Sequence, residues 1–125
     1  MRGPDFENTI LDTHSYQCFT DDDQKRSLHQ QVEFALIERK KQLEAMQKQL
    51  PCIVGEWSCA LPPSSLDGRN GFALDAAVRA YGAAQLINFD ATRGWFYWTY
   101  KTEEGGAWSF RDCVHRGWMP EKYAS

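Results

Sequence analysis

The sequence predicts an α/β fold in which a parallel sheet is built from three strand–helix units. Three short apolar, aromatic or β-branched segments, at residues 9–16, 52–57 and 94–100, alternate with segments of helical character. Alternation of this kind is typical of parallel strands joined by right-handed crossovers. The 125 residues are enough for one ordinary domain, so we expect residues 1–125 to form a single unit with one main core.

The first unit combines a strand over residues 9–16 with a helix that extends to Gln49. The strand is rich in β-branched residues and runs into a polar end. Thr20 is the expected N-cap of the helix, and Asp23 three residues later completes a capping box. Apolar residues then recur every three or four positions until Pro51, which ends the pattern. The sequence therefore predicts one continuous helix between the first two strands.

The second and third strands have a stronger apolar character than the first. Residues 52–57 are apolar without regular alternation, which is typical of a strand buried on both faces. A helix is expected over residues 71–90, and a shorter one near the C-terminus. Residues 94–100 are almost entirely aromatic and β-branched. Alternation places Trp98 and Trp95 on opposite faces of this third strand.

Charge and composition disfavour several classes of partner. The net charge is -3 and the pI is about 5.6, which argues against nucleic acid and against an anionic membrane surface. The basic residues of Arg39–Lys41 alternate with nearby glutamates and are interpreted as a solvated helix face. No apolar run approaches the ~20 residues that a membrane helix requires. Aromatic residues make up 14%, with five Trp, and stacked aromatics suit flat ligands such as sugar rings.

The N-terminus and the cysteines bear on the cellular compartment. Met1–Asn8 is polar and lacks the hydrophobic region of a signal peptide, so the chain as written is expected to stay in the cytosol. The four cysteines are Cys18, Cys52, Cys59 and Cys113. None forms a C-x-x-C pair, so free, mostly buried thiols are the favoured interpretation. Two disulfides in an oxidising compartment are the alternative. A metal site from His14, Cys18 and Cys59 lacks any ligand spacing.

Side chains capable of chemistry follow each predicted strand. His14 and Tyr16 end the first strand, Glu56 and Trp57 end the second, and Trp98 lies near the end of the third. In parallel α/β folds, functional groups gather at the C-terminal ends of the strands. We therefore expect a carboxylate, an imidazole, a phenol and indoles to share one rim of the sheet.

Glu56 is the most informative of these residues. A glutamate at the end of an apolar strand is costly to bury unless it is paired or hydrogen bonded. A functional carboxylate is the favoured interpretation, and a structural ion pair with Arg93 or Lys101 is the alternative. Tyr16 could donate a hydrogen bond to Glu56, whereas His14 could equally have a structural or a functional role.

Three motifs resemble glycoside hydrolase family five, in particular its exo-β-1,3-glucanases. The segment IVGEWS at residues 53–58 resembles the nucleophile strand of that family. The segment DTHSYQ at residues 12–17 resembles the His-x-Tyr strand that precedes it. The segment GWFYWTYKTE at residues 94–103 resembles the last barrel strand. The motifs stand in the order of the family and span nearly the whole chain.

The resemblance implies a (β/α)₈ barrel, of which this chain would supply the last three units. It implies hydrolysis of β-glucosidic bonds with retention of configuration, in which Glu56 attacks the anomeric carbon. His14 and Tyr16 would orient the carboxylate and bind the sugar. Trp98 would stack beneath the sugar ring, and Trp57 is the second indole expected to bind glucan. No metal or organic cofactor is implied.

The resemblance also implies a second carboxyl group, the acid/base, on a Glu that follows Asn at the end of the fourth barrel strand. The sequence contains no Asn-Glu pair, so the matching region would precede residue 1, and little activity is expected of the isolated chain. Two alternatives stay open. One is a non-catalytic glucan-binding module, and the other is a half-barrel that self-associates through exposed sheet edges. Members of the family are commonly exported, in contrast to the cytosolic expectation above.

Overall fold

A computed structural model describes residues 7–123 and contains one three-stranded parallel sheet. The strands are β1 (Leu11–Ser15), β2 (Cys52–Trp57) and β3 (Trp95–Tyr97), in the order β1-β2-β3. The helical segments follow each strand along the chain. This architecture confirms the predicted α/β class and the parallel pairing of the three strands.

The segment between β1 and β2 is not one continuous helix, so that prediction is wrong. It contains α1 (Asp21–Lys25), α2 (Leu28–Glu33), a π-helical turn (Phe34–Glu38) and α3 (Arg39–Gln47). The capping box predicted at Thr20 is present. The chain then breaks because Ser27 starts a second capping box, in which its side chain accepts from the amide of Gln30. Two competing N-caps therefore divide one amphipathic segment.

The remaining helices follow β2 and β3. They are α4 (Pro63–Leu66), α5 (Gly71–Phe89) and α6 (Phe110–His115), with a 3₁₀ turn at Gly106–Trp108. The long helix α5 confirms the helix predicted over residues 71–90. Within the part of the chain that the structure describes, no helix is both long and apolar enough to cross a membrane.

The third strand is shorter than predicted. It ends at Tyr97 rather than at residue 100, and the peptide bond between Trp98 and Thr99 is cis. Beyond Tyr97 the backbone exchanges its partners: the Thr99 amide donates to the carbonyl of Trp108, and the Phe110 amide donates to the carbonyl of Thr99. The aromatic run thus leaves the sheet because the C-terminal segment supplies its hydrogen bonds.

The sheet has one covered face and one open face. On the covered face Trp57 is fully buried, with edge-to-face ring contacts to Phe89 of α5 at 5.2 Å and to Tyr97 at 5.0 Å between centroids. Within β3, Phe96 is 60% exposed between the half-buried Trp95 and Tyr97, as alternation requires. Trp98 lies just beyond the strand and is 52% exposed. The open face is where groups can meet a ligand.

Candidate active site

A β-bulge in β2 places Glu56 on the open face. Thr13 of β1 is paired with Val54, but the next residue, His14, is paired with Glu56, so Gly55 is an extra residue in β2. Strict alternation after the buried Val54 would have turned Glu56 towards the helices. The bulge instead leaves two successive residues outside the core. Glu56 consequently lies directly beside His14.

The Glu56 carboxylate is held by two side chains from the end of β1. The Tyr16 hydroxyl donates to Glu56 Oε2 at 2.8 Å, and His14 Nδ1 lies 3.5 Å from the same oxygen. The Glu56 side chain retains 29% exposure. Among residues 7–123 it forms no ion pair with Arg93 or Lys101, which disfavours the structural alternative. The structure therefore brings together three of the side chains singled out in the sequence.

Asp12 belongs to the same cluster and was missed as a site residue by the sequence reasoning. Its Oδ2 lies 3.4 Å from His14 Nε2, so the imidazole stands between the carboxylates of Asp12 and Glu56. Asp12 also fills the space beside the bulge: a Cβ placed on Gly55 would lie 1.9 Å from Asp12 Oδ1. The available signal was spacing, since residues two apart on a strand share one face.

The Tyr16 phenol is a protonated donor in this arrangement. Burial raises its pKa far above the ordinary value, and the hydrogen bond to the Glu56 carboxylate raises it further. Its ring also contacts Phe19, edge to face with centroids 5.2 Å apart, and Trp108 at 5.7 Å. Phe19 stacks on Trp108 and is 66% exposed. These two aromatic rings pack against the phenol that donates to Glu56, and the sequence analysis did not identify them.

Arg39 supports Tyr16 from the helical layer, which corrects its interpretation as a solvated residue. Its Nη2 donates to the Tyr16 carbonyl at 3.2 Å, and its guanidinium lies 5.2 Å from the centre of the Phe34 ring. Burial lowers the pKa of Arg39. Lys40 and Lys41 remain exposed, as expected. The π-helical turn that ends immediately before Arg39 is stabilised by a side chain of α5, which donates hydrogen bonds to backbone carbonyl groups of the turn.

The two tryptophans expected to contact sugar differ in their exposure to solvent. Trp98 lies just beyond β3, and its side chain is half exposed. Trp57 is fully buried on the opposite face, against Phe89 and Trp95. The expectation that Trp57 binds substrate is therefore wrong, because the bulge that exposes Glu56 returns the next residue to the core.

The histidine of the cluster and the cysteines assemble no metal site within the described residues. In the stretch from residue 7 to residue 123, no group of three His, Cys, Asp or Glu side chains could hold a metal ion. The cysteines are free thiols, of which Cys18 is half-buried and the other three are buried. His14 instead directs both ring nitrogens at carboxylates.

Comparisons with known proteins identify relatives along most of the chain. No protein-family model matches it. The probable glucan 1,3-β-glucosidase A of Emericella nidulans is 28% identical over 146 aligned positions, which cover 92% of this chain and 36% of the relative. The probable glucan 1,3-β-glucosidase of Arthroderma benhamiae is 30% identical over 149 positions, which cover 90% of this chain and 36% of the relative.

A third relative carries a different linkage in its name. The probable glucan endo-1,6-β-glucosidase B of Aspergillus terreus is 37% identical over 79 positions, which cover 57% of this chain and 18% of the relative. The chain spans no more than 36% of the length of these three proteins. Along nine tenths of its own length it is homologous to proteins named glucan 1,3-β-glucosidase, and this confirms the family resemblance that its three motifs predicted.

Proposed function

We propose that this chain carries the nucleophile side of the active site of a retaining β-glucan hydrolase. The observation that carries the proposal is the Glu56 carboxylate, presented on the open face of the sheet with Tyr16 and His14 both against Oε2. The names of the relatives support glucan as the substrate class. The same chemistry requires no cofactor.

The two oxygens of Glu56 have different surroundings, and this difference suggests their roles. Oε2 is engaged by Tyr16 and His14, whereas Oε1 accepts no hydrogen bond from residues 7–123. Oε1 is thus the oxygen that would attack the anomeric carbon, forming a glycosyl ester as the bond to the leaving oxygen breaks. Tyr16 and His14 would keep the other oxygen in place throughout the step.

The acid/base is proposed to come from outside this sequence. Retaining glycosidases hold their two carboxyl groups about 5–5.5 Å apart. Asp12 is unsuited to that role because it lies nearer the start of β1, with His14 between it and Glu56. The family resemblance assigns the acid/base to an Asn-Glu pair, and the sequence contains none.

The surroundings of Glu56 support a barrel interior and a sugar subsite. In a (β/α)₈ barrel, helices cover the outer face of the parallel strands and the active site lies at their C-terminal ends. The helices here cover one face, and Glu56 lies near the C-terminal end of β2 on the other. Trp98, half exposed just beyond β3, is proposed to stack against the sugar ring.

The proposal is tested with 2,4-dinitrophenyl 2-deoxy-2-fluoro-β-glucoside. Its leaving group departs without acid catalysis, and the fluorine slows hydrolysis of the glycosyl ester, so the missing acid does not prevent labelling. We expect the mass of the chain to rise by one fluoroglucosyl group, located by peptide mapping at Glu56. Glu56→Gln should abolish labelling. Glu103→Gln, which removes an exposed glutamate from the loop after β3, is the matched control and should label normally.

Hydrolysis of laminarin by the parent chain, measured beside Glu56→Gln, completes this test. Labelling at Glu56 with little laminarin hydrolysis would support a nucleophile that lacks its acid, since a general acid typically contributes about 10²–10⁴-fold. A label on another carboxylate, or no label on a folded chain that binds laminari-oligosaccharides, would contradict the nucleophile role.

A non-catalytic glucan-binding module is the second candidate. The observation that favours it is the exposure of Phe96 in β3 and of Trp98 and Tyr100 just beyond it, since aromatic rings stack on the apolar faces of sugars. Binding of laminari-oligosaccharides that is unchanged by Glu56→Gln and greatly weakened by Trp98→Ala, without covalent labelling, would favour this candidate.

Self-association remains a proposal for the sheet edges. Within residues 7–123, β1 and β3 each pair with β2 alone and have a free outer edge. Such edges favour pairing with another chain. Sedimentation equilibrium that shows a concentration-dependent mass would support association, and a monomer mass at every concentration would contradict it.

A further inference from the structure

The π-helical turn in the helical layer contains one residue more than an α-helical turn. It spans Phe34–Glu38, and the amide of Arg39, which follows it, donates to the carbonyl of Phe34. In a regular α-helix the same amide would donate to the carbonyl four residues earlier, which is that of Ala35. The π-helical turn therefore leaves the Ala35 carbonyl without its usual donor.

Asn88 of α5 supplies the donor that the Ala35 carbonyl has lost. The residue is 7% exposed, and its side-chain amide donates to the Ala35 carbonyl at 2.7 Å and to the Leu36 carbonyl at 3.4 Å. A buried carbonyl without a partner is costly, so this contact stabilises the π-helical turn against the regular helix. The irregular turn is thus held by a specific side chain of a neighbouring helix.

The π-helical turn determines which way the following residue points. One series of residues with a spacing of four runs through the segment, comprising the buried Gln31, Ala35 and Leu43 and the half-buried Arg39. An α-helix turns about 100° per residue, so a spacing of four drifts by about 40° at each step, and the extra residue of the turn offsets this drift. Arg39 consequently points inwards, whereas the side chain of Lys40 is 60% exposed.

The guanidinium of Arg39 holds the backbone just beyond β1. Its Nη2 donates to the Tyr16 carbonyl at 3.2 Å, and its Nη1 donates to Gln42 Oε1 at 2.7 Å. The centre of the Phe34 ring lies 5.2 Å from Arg39 Cζ. Because the donors of a guanidinium have a rigid arrangement, the bond to Gln42 and the ring of Phe34 also fix the donor that meets Tyr16.

Tyr16 links this backbone contact to the candidate nucleophile. The residue whose carbonyl accepts from Arg39 also donates its hydroxyl to Glu56 Oε2 at 2.8 Å. The phenol is a long and rigid group, so a small rotation of the backbone at Tyr16 displaces the hydroxyl by a larger distance. A hydrogen bond weakens steeply as its geometry departs from the ideal. The contact with Arg39 therefore affects how well the phenol meets the carboxylate.

We propose that Arg39, placed by the π-helical turn, is a positioning residue that aligns the Tyr16 hydroxyl with Glu56. Its consequence for catalysis rests on the proposed function, whereas the alignment itself is measured without substrate. In the proposed reaction Oε1 of Glu56 attacks while Tyr16 holds Oε2 in place. A misaligned phenol would let the carboxylate rotate, so the chemical step should slow while sugar binding changes little.

The alignment is tested by NMR of the purified chain, labelled with tyrosine that carries ¹³C at Cζ. This signal moves downfield when a phenol donates to a carboxylate, and Tyr16→Phe identifies the signal of Tyr16 among the five tyrosines. Glu56→Gln removes the carboxylate and should move the signal upfield. Arg39→Met keeps an unbranched side chain without donors and should move it in the same direction. Dispersed signals from the other tyrosines show that a variant is folded.

Three further variants separate this contact from a general effect on the helical layer. Lys40→Met removes the neighbouring exposed charge and should leave the Tyr16 signal at its parent position. Arg39→Lys keeps a donor and should give a smaller upfield movement than Arg39→Met, so it decides where Arg39→Met does not fold. Asn88→Leu removes the donor to the π-helical turn and should also move the signal upfield. A Tyr16 signal that stays in place in a folded Arg39→Met chain, or an equal movement in Lys40→Met, would overturn the proposal.

The consequence for the reaction is measured with the fluoroglucoside described above. At saturating reagent, Arg39→Met should slow the labelling of Glu56 about ten-fold, and the reagent concentration at half-maximal rate should change less than about two-fold. A parent chain that does not label would count against the proposed function, while the Tyr16 signal would still decide the role of Arg39. A parent chain that labels, with Arg39→Met labelling at the same rate, would overturn that role and leave the nucleophile in place.

Discussion

Gly55→Ala tests whether the bulge and Asp12 are matched to each other. In the parent chain a Cβ at residue 55 would lie 1.9 Å from Asp12 Oδ1 and 2.7 Å from Asp12 Cγ. The backbone of Gly55 does not have a positive φ, so alanine is permitted there on conformational grounds. The obstacle is therefore the Asp12 side chain, and the cost of the substitution should depend on whether that side chain is present.

The expected magnitude follows from three contributions. Replacing glycine by alanine at a permitted position stabilises the folded state by about 0.4–1 kcal/mol through the unfolded chain. Forcing Asp12 out of its rotamer costs about 0.5–1.5 kcal/mol. Losing its half-exposed contact with His14 costs about 0.2–1 kcal/mol. We expect a net destabilisation of about 1 kcal/mol in the parent and a stabilisation of about 0.5 kcal/mol in the Asp12→Ala background.

Urea unfolding followed by tryptophan fluorescence measures these differences in a double-mutant cycle. Its four proteins are the parent chain, Gly55→Ala, Asp12→Ala and the variant that carries both substitutions. The expected coupling free energy between residues 55 and 12 is about 1–2 kcal/mol, well above the roughly 0.3–0.5 kcal/mol seen for independent sites. Equal effects of Gly55→Ala in both backgrounds would contradict a coupling between the two residues, since the clash with Asp12 would then have no energetic consequence.

Two further predictions concern the buried polar groups around α1 and α2. Gln31 is fully buried, accepts a hydrogen bond from Gln17 and donates to Ser65, so Gln31→Ala should cost about 3 kcal/mol in urea unfolding, and a cost below about 1 kcal/mol would contradict it. Burial alone would raise the pKa of Asp23, but hydrogen bonds from nearby amides and from Arg26 outweigh it and lower the pKa. A lowered folded-state pKa means that the carboxylate contributes stability above its unfolded pKa of about 3.9 and loses it as pH falls through the lower folded value. Thermal melts from pH 5 to pH 2 should show a shallower decline for Asp23→Asn, and parallel curves would contradict this origin.

Local signals explain the parts of the fold that were predicted correctly. The capping box at Thr20 and Asp23 depends on atoms within four residues, so the start of α1 is readable from the chain itself. A second capping signal, from Ser27 to Gln30, was equally readable and would have located the break in the long helix. The error arose because the apolar periodicity continues across the break.

Contacts between distant segments explain the errors at Arg39 and at the third strand. Arg39 looked solvated beside Lys40 and Lys41, but the carbonyl of Tyr16, from another element, accepts its hydrogen bond. The aromatic run after Tyr97 looked like a strand, yet its backbone partners come from the C-terminal segment. Neither partner lies near in sequence, so composition and periodicity carry no information about it.

The α/β class, the three strands and the cluster of His14, Tyr16 and Glu56 can be read from the amino-acid sequence, because they depend on short apolar runs and on local motifs. Which side chains face the cluster depends instead on how the strands pair. The extra residue at Gly55 reverses the alternation of β2, so that Glu56 is presented and Trp57 is buried. A shift of one residue exchanges the two faces of a strand, and its position depends on pairing with β1 and β3, which no single segment specifies.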